Sequence, residues 1–222
     1  MRYQFFLDAR DYVKYALLDD LMSQLDLDQL TLIWMLTPDV GNTHGSRRPK
    51  FDPDRPALNG FFQREPRPHL WDVKEYFATR GYLCTSYGDR PDTYITQANR
   101  TDYFSSIEDS ILSDALVFLD PDNGVEPRGG ASPLHIRLDE LRGLWNRMGD
   151  NSVLMIYQHK PRVAGDVFWP DVAKRTSQVL GTRVLVLPFK DVGFLVASRR
   201  DLSAFLKTKG HHVHESHQDN ER

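Results

Sequence analysis

The sequence predicts an α/β protein: a three-layer sandwich with a mostly parallel central sheet, helices on both faces and an antiparallel hairpin at the C-terminal end. Three observations predict it. Apolar runs at residues 30–36 and 115–119 are continuous instead of alternating, which marks strands covered on both faces. Segments with three-to-four-residue apolar spacing lie between such runs, the order expected of crossover helices. The last two apolar runs, 182–189 and 193–198, are joined by a turn too short for a parallel crossover.

The elements follow in order. Residues 11–25 carry Val13, Leu17, Leu18, Leu21 and Leu25 at helical spacing, with Asp8 or Asp11 in capping position. Residues 30–36, LTLIWML, form the first buried strand; it ends at Thr37-Pro38-Asp39 and enters a loop containing Gly41 and Gly45. Residues 42–69 hold five prolines, two glycines and cations at 47, 48, 50, 55, 64 and 67. That segment is too long and too polar for an ordinary connection, which predicts a functional flap or a mobile insertion. Leu70, Val73, Tyr76 and Phe77 predict a helix over 70–80, stopped by Gly81. A strand over 82–88, a short helix over 102–112 and the strand at 115–119 come next. Leu138, Leu141, Leu144, Trp145 and Met148 define a further helix, followed by a strand at 152–158 and a helix over 170–180. The two final strands flank Lys190-Asp191-Val192-Gly193. One domain over 1–206 is expected, with a polar, flexible tail over 207–222.

Composition limits the function classes. A chain of 222 residues with 40% hydrophobic residues has material for one core. A net charge of -3 excludes a global positive field drawing it to nucleic acid or membrane, so any nucleic-acid contact must be local. The single cysteine, Cys84, excludes an intrachain disulfide, a multi-cysteine zinc site and an iron–sulfur cluster. With neither a signal-peptide pattern nor an apolar run long enough to span a bilayer, a cytoplasmic protein without a membrane partner is expected.

In doubly wound sheets ligands sit beyond the carboxyl ends of the strands, which directs attention to the residues just after each apolar run. Asp39, Gly41 and Asn42 follow the first strand, where two glycines would let a backbone approach a cofactor; the spacing departs from GxGxxG, and an ordinary turn remains open. Asp120-Pro121-Asp122-Asn123-Gly124 places two carboxylates, a carboxamide and a rigid proline on the end of a buried strand. Oxygens so held can accept the hydrogens of an exocyclic amine, and a tight turn is the competing reading. The position of its glycine excludes an EF-hand. His159 can act as acid or base or be structural, while Lys160 and Arg162 suit phosphate. Lys14 falls on the apolar side of the first helix and either snorkels or reaches a ligand. Arg47 and Arg48, with Phe61, Phe62 and Trp71 interleaved, can grip a nucleic-acid backbone and stack a base, or be a solvated loop. The histidines at 211, 212, 214 and 217 lie on a tail ill suited to orienting a reaction.

The stretches DYVKYALLDDL, WMLTPD, LVFLDPDNGVE and MIYQHKPR resemble a family of largely uncharacterised bacterial and phage proteins with a KYxLL-type start and an FLDPDNG core. The likeness covers most of the chain. More distantly, the order of elements is similar to that of the Rossmann-like ribosomal-RNA adenine-N6 methyltransferases. That resemblance implies S-adenosylmethionine-dependent methylation of a nucleobase amine in RNA or DNA. It implies a cofactor set of Lys14, Asp39, Gly41 and Asp89 and matches Asp120-Pro121 to the start of the catalytic motif; the residues themselves add Asn42 to the cofactor set and Asp122, Asn123 and His159 to the catalytic set. Arg47, Arg48, Phe61, Tyr157, Lys160 and Arg162 would meet the substrate. Asp122 stands where those enzymes carry a second proline and Asn123 where they carry the stacking aromatic, so Phe61 or Tyr157 would have to stack instead. Two alternatives remain open at this point. One is a Mg²⁺-dependent nuclease or phosphoesterase using Asp39, Asp120, Asp122 and Glu126, with Lys160 on the phosphate. The other is a non-catalytic phage or defence binding module.

Overall fold

The computed structural model describes residues 1–39 and 47–202, together with the backbone of residues 214–215. Along the chain run α1 (Ala9–Leu25), β1 (Gln29–Trp34), α2 (Pro56–Gln63), α3 (Val73–Thr79), β2 (Leu83–Tyr87), α4 (Arg100–Ser105) and β3 (Ala115–Asp120). They are followed by β4 (Gly124–Val125), β5 (His135–Ile136), α5 (Leu138–Arg147), β6 (Val153–His159), α6 (Gly165–Leu180), β7 (Val184–Phe189), β8 (Val192–Ser198) and β9 (His214–Glu215). Seven strands form one sheet in the order β2-β1-β3-β6-β8-β7-β9. β2, β1, β3 and β6 pair in parallel, and β8 runs antiparallel to both of its neighbours, β6 and β7. The expected α/β sandwich, mostly parallel with a C-terminal antiparallel pair, is what forms.

Alternation along each strand divides the apolar residues between two cores. On β3, Leu116 and Phe118 join α1, α2 and α3, while Ala115, Val117 and Leu119 join α4, α5 and α6. On β6, Val153, Met155 and Tyr157 face the first core, and Leu154 and Ile156 the second. Period-two counting therefore aims Asp120, two residues after Phe118, at α1. From β1 the chain moves to one neighbour, β2, and returns on the other side as β3. The switch point of the sheet thus lies between the carboxyl ends of β1 and β3.

Three sequence expectations change. Residues 47–69 are not simply a polar flap: Leu58 and Phe61 are buried in the first core, and the intervening helix α2 is tied to α1. Tyr12 donates its hydroxyl to Asn59 Oδ1 at 2.7 Å, and Arg55 meets both oxygens of Asp20 at 2.8 Å. High proline and charge content hid a one-sided apolar face. The helix expected over 102–112 stops at Ser105, because the Ser106 hydroxyl bonds back to the Asp102 carbonyl and competes with the ladder; a separate 3₁₀ turn covers Asp109–Ile111. The sixth helix begins at Gly165, not at 170, and carries Pro170 within it.

The Asp-Asn-Gly turn after β3 is fixed by packing. Gly124 has φ +97°, and a β-carbon there would lie 2.4 Å from the Gln158 side-chain amide, whose Oε1 accepts the Val125 N–H at 2.8 Å. Gly124→Ala is therefore expected to combine left-handed strain with loss of that bond and to destabilise the protein by about 3 kcal/mol in urea unfolding.

Candidate functional site

The site is assembled on α1. Asp8 caps the helix, its Oδ1 accepting the amide hydrogens of Arg10 (2.7 Å) and Asp11 (3.0 Å). Two turns of periodicity then place Lys14 over the sheet, where its ammonium lies 3.0 Å from Asp11 Oδ1, 2.8 Å from Asp120 Oδ2 and 4.3 Å from the centre of the Tyr157 ring. Burial alone would depress the lysine, but Asp120 and Asp11 more than reverse that and hold it charged. Burial pushes the Asp11 carboxyl up to about 7; Lys14 opposes the rise, and Asp8 and Asp120 add to it. Asp120 itself is 0% exposed, and its Oδ1 is buried without a hydrogen-bond partner. The geometry corrects two expectations: Lys14 is committed to carboxylates and not to a cofactor, and the Asp120 side chain is sealed from any incoming amine.

The other predicted residues occupy the same carboxyl rim but mostly serve the turn. Pro121 is buried. Asp122 accepts the Thr37 hydroxyl at 2.6 Å and pairs with Arg2 at 3.2 Å. The Asn123 carbonyl accepts from Gln158 Nε2 (2.9 Å) and the His159 amide (3.3 Å), joining this turn to the end of β6. Asp39 accepts the Gln4 amide at 3.0 Å, and Asp89 lies 3.7 Å from Arg90. Lys160 donates to the carbonyls of Pro161 and Val163. Glu126 accepts the Leu138 amide at 2.8 Å and so serves the start of α5. Phe61 packs at 5.3 Å from Tyr76 in the core, and Tyr157 is buried against Lys14 and Phe194; neither is a free stacking surface. Gly41 and Asn42 lie outside the described residues.

Two connected spaces open at this rim. A cavity of about 160 Å³ lies beneath the first residues of the chain, with Asp8, Asp11, Lys14, Asp122, Tyr157 and His159 in its wall. It shares Arg2, Phe5, Asp8, Arg10 and His159 with a groove of about 930 Å³ bounded by the start of α1, residues 47–50 and the β7–β8 turn. Arg2, Arg10, Arg47, Arg48, Lys50, Arg162 and Lys190 line the groove, against only two carboxylates, Asp8 and Asp191. Arg10 is paired with Asp191 at 2.6 Å. His159, half-buried where the two spaces meet, is held below the ordinary imidazole value by burial and then by the Arg10 charge. A separate hollow of about 250 Å³, beside Arg183 and Arg199, carries none of the predicted site residues.

The implied cofactors fare differently from the fold. Arg2 forms a parallel bridge with Thr37, whose amide donates to the Met1 carbonyl at 2.8 Å. Residues 1 and 2 thereby fill the crevice at the β1–β3 switch point. Asp120 is sealed as well, and Gly41 and Asn42 of the expected cofactor set lie outside the described residues. No group of three carboxylate, histidine or cysteine side chains able to hold a metal ion occurs among the described residues; the Lys14 ammonium already occupies the position beside Asp120 that a Mg²⁺ ion would need. Comparison with family models, curated proteins and solved structures finds no match for this chain. Sequence reasoning passed over Arg2 and Arg10, counted Lys50 only among the cations of the insertion and Lys190 and Asp191 only as a turn, and weighed Asp8 and Asp11 only as caps. Their common signal is proximity to the first helix's start and to the last hairpin, two places that become neighbours only when β8 inserts beside β6.

Two stability measurements test this geometry. Lys14→Met leaves Asp11 and Asp120 buried without a cation and is expected to cost about 3–5 kcal/mol in urea unfolding, much of it recovered in Lys14→Met/Asp120→Leu. Asp11 is held above its unfolded value, so its protonated form stabilises the fold below about pH 4, and that contribution is lost as pH rises to about 7. The stability of Asp11→Asn relative to the parent protein is expected to improve by about 4 kcal/mol between pH 4 and pH 8.

Proposed function

We propose that the protein binds the phosphate backbone of a single-stranded nucleic acid in the groove between the start of α1, residues 47–50 and the β7–β8 turn. One observation carries the reading. The chain has a net charge of -3, yet seven Lys and Arg side chains and only two carboxylates line this groove. Arg47, Arg48, Lys50, Arg162 and Lys190 make no ion pair among the described residues, so their charge is uncommitted. They come from three separated stretches of sequence, and an array of that kind suits a ligand carrying several negative charges in a row.

The sheet order, with β8 reversed between β6 and β7 and a switch point beside the groove, supports a Rossmann-like reading of the fold. Methyl transfer is not part of the proposal, because Asp120 is sealed and the switch-point crevice is filled. Arg47, Arg48 and Arg162 keep the substrate-facing role that the sequence suggested for them. Among the described residues no helix is long and apolar enough to cross a membrane, and the groove's charge needs no lipid surface to explain it.

Backbone binding releases counterions, so affinity must fall linearly with salt on logarithmic axes, each phosphate contact on a single strand contributing about 0.7 to the slope. Fluorescence anisotropy with a labelled oligothymidylate is expected to show that dependence. Arg47→Ala/Arg48→Ala should weaken binding and flatten the slope by about 1.4. Lys174→Ala, on an exposed part of α6, should change neither. Absence of binding at low salt, or a slope indifferent to the double substitution, overturns the reading.

A further inference from the structure

The cavity next to the groove is lined by charged and polar residues together with Met1, Phe5, Leu134 and Tyr157, and its size selects among ligands. About 160 Å³ equals the share of roughly five water molecules, space for one ring system but not for a whole nucleotide. Phe5 contributes aromatic surface, and Arg2, Phe5, Asp8, Arg10 and His159 line both cavity and groove, so a group entering from a strand in the groove meets no intervening wall.

The chemistry of the lining is set by Asp8. Its side chain is 7% exposed. Oδ1 is spent on the two amide hydrogens at the start of α1, whereas Oδ2 has no hydrogen-bond partner among the described residues. A carboxylate oxygen without a donor, on a residue more than nine-tenths buried in the wall of a cavity, is an acceptor open to a ligand. The guanidinium groups of Arg2 and Arg10 stand in the same wall as donors. A ligand that fits both must be flat and small, offering N–H donors toward the carboxylate and a carbonyl toward a guanidinium.

We infer that this cavity receives a single unstacked nucleobase carrying adjacent ring and exocyclic N–H donors, which among the common bases is guanine, delivered by the strand whose phosphates occupy the groove. Guanine offers N1–H and the 2-amino group side by side with the O6 acceptor. Adenine and cytosine pair an amine with a bare ring nitrogen, and thymine sets its one N–H between carbonyls. Asp8 is the specificity residue: it takes the donor pair, and the arginines take O6. The inference rests on the proposed binding of a nucleic-acid backbone and adds to it the base that is read.

The test uses the full chain and oligothymidylates carrying one central guanine, hypoxanthine or adenine. Guanine is expected to bind about tenfold tighter than adenine, with hypoxanthine, which lacks the 2-amino group, falling between them. Asp8→Asn keeps an Oδ1 acceptor for the helix cap but replaces the free oxygen with an amide NH₂, so it should abolish the preference while oligothymidylate still binds, no more weakly than to the parent protein, because one negative charge leaves the groove. Equal affinity for all three bases in the parent protein overturns the inference even if the substituted chain fails to fold, and so does a guanine preference that survives in folded Asp8→Asn. Failure of plain oligothymidylate to bind overturns instead the backbone reading beneath it. Guanosine monophosphate in place of the oligomer distinguishes a free nucleotide from a strand: competition at equal concentration would assign the cavity to a mononucleotide and overturn delivery by a strand.

Discussion

One buried ammonium organises this protein. Lys14 stands between the first helix and the centre of the sheet, bonded to Asp11 on its own helix and to Asp120 at the tip of the middle strand β3. Neither carboxylate has access to water, so each is tolerable only while the lysine is present, and the lysine only while they are. The pairing is directional where hydrophobic packing is not. It fixes how far along the sheet α1 sits, and hence where the cap at Asp8 and the guanidinium of Arg10 come to rest. Burial is what chiefly raises Asp11; the neighbouring Asp8 and Asp120 add to the rise, Lys14 opposes it, and the cluster is thereby sensitive to protons.

The sheet was legible in the sequence because its signal is local. Leu116-Val117-Phe118-Leu119 cannot be half-solvated, and Val13, Leu17 and Leu21 cannot be anything but one helical face. The partner of Lys14 was not legible in the same way. Period-two counting from Phe118 shows that Asp120 points to one face of the sheet, but which helix covers that face depends on the handedness and order of crossovers far along the chain. The same limit explains the insertion. Leu58 and Phe61 are only two apolar residues within a run dense in proline and arginine, and their burial depends on Tyr12 and Asp20 of α1 supplying the complementary bonds to Asn59 and Arg55. The candidate site was legible as a rim and not as a pocket: the sequence brought Asp39, Asp120 and His159 to one edge, but the cations that line the groove come from the first residues of the chain, the start of α1, residues 47–50, Arg162 and the hairpin turn, and residues such as Lys190 carry no motif.

The acidic motif after β3 illustrates why residue type underdetermines role. Asp120, Asp122 and Asn123 are the residues one would place to bind an amine or a metal ion. Here Asp120 answers a lysine, Asp122 answers Thr37 and Arg2, and the Asn123 carbonyl answers Gln158 and His159. Each of these partners lies within the protein, and the Asn123 carbonyl fastens the turn after β3 to the end of β6. The proposed ligand-facing surface is displaced sideways, from the crevice between β1 and β3 to the groove beside α1, where cations outnumber carboxylates.

That displacement has a physical logic in how Asp8 is held. A carboxylate used for recognition on a loop would sample many rotamers and lose binding energy each time it was ordered. Asp8 is already ordered, because two amide hydrogens at the head of a 17-residue helix fix Oδ1, and fixing one carboxylate oxygen fixes the direction of the other. The helix in turn is pinned by Lys14 to β3. The acceptor in the cavity is thus positioned by a chain of bonds running from the middle of the sheet through the ammonium and the helix backbone to its cap, with no flexible step in between.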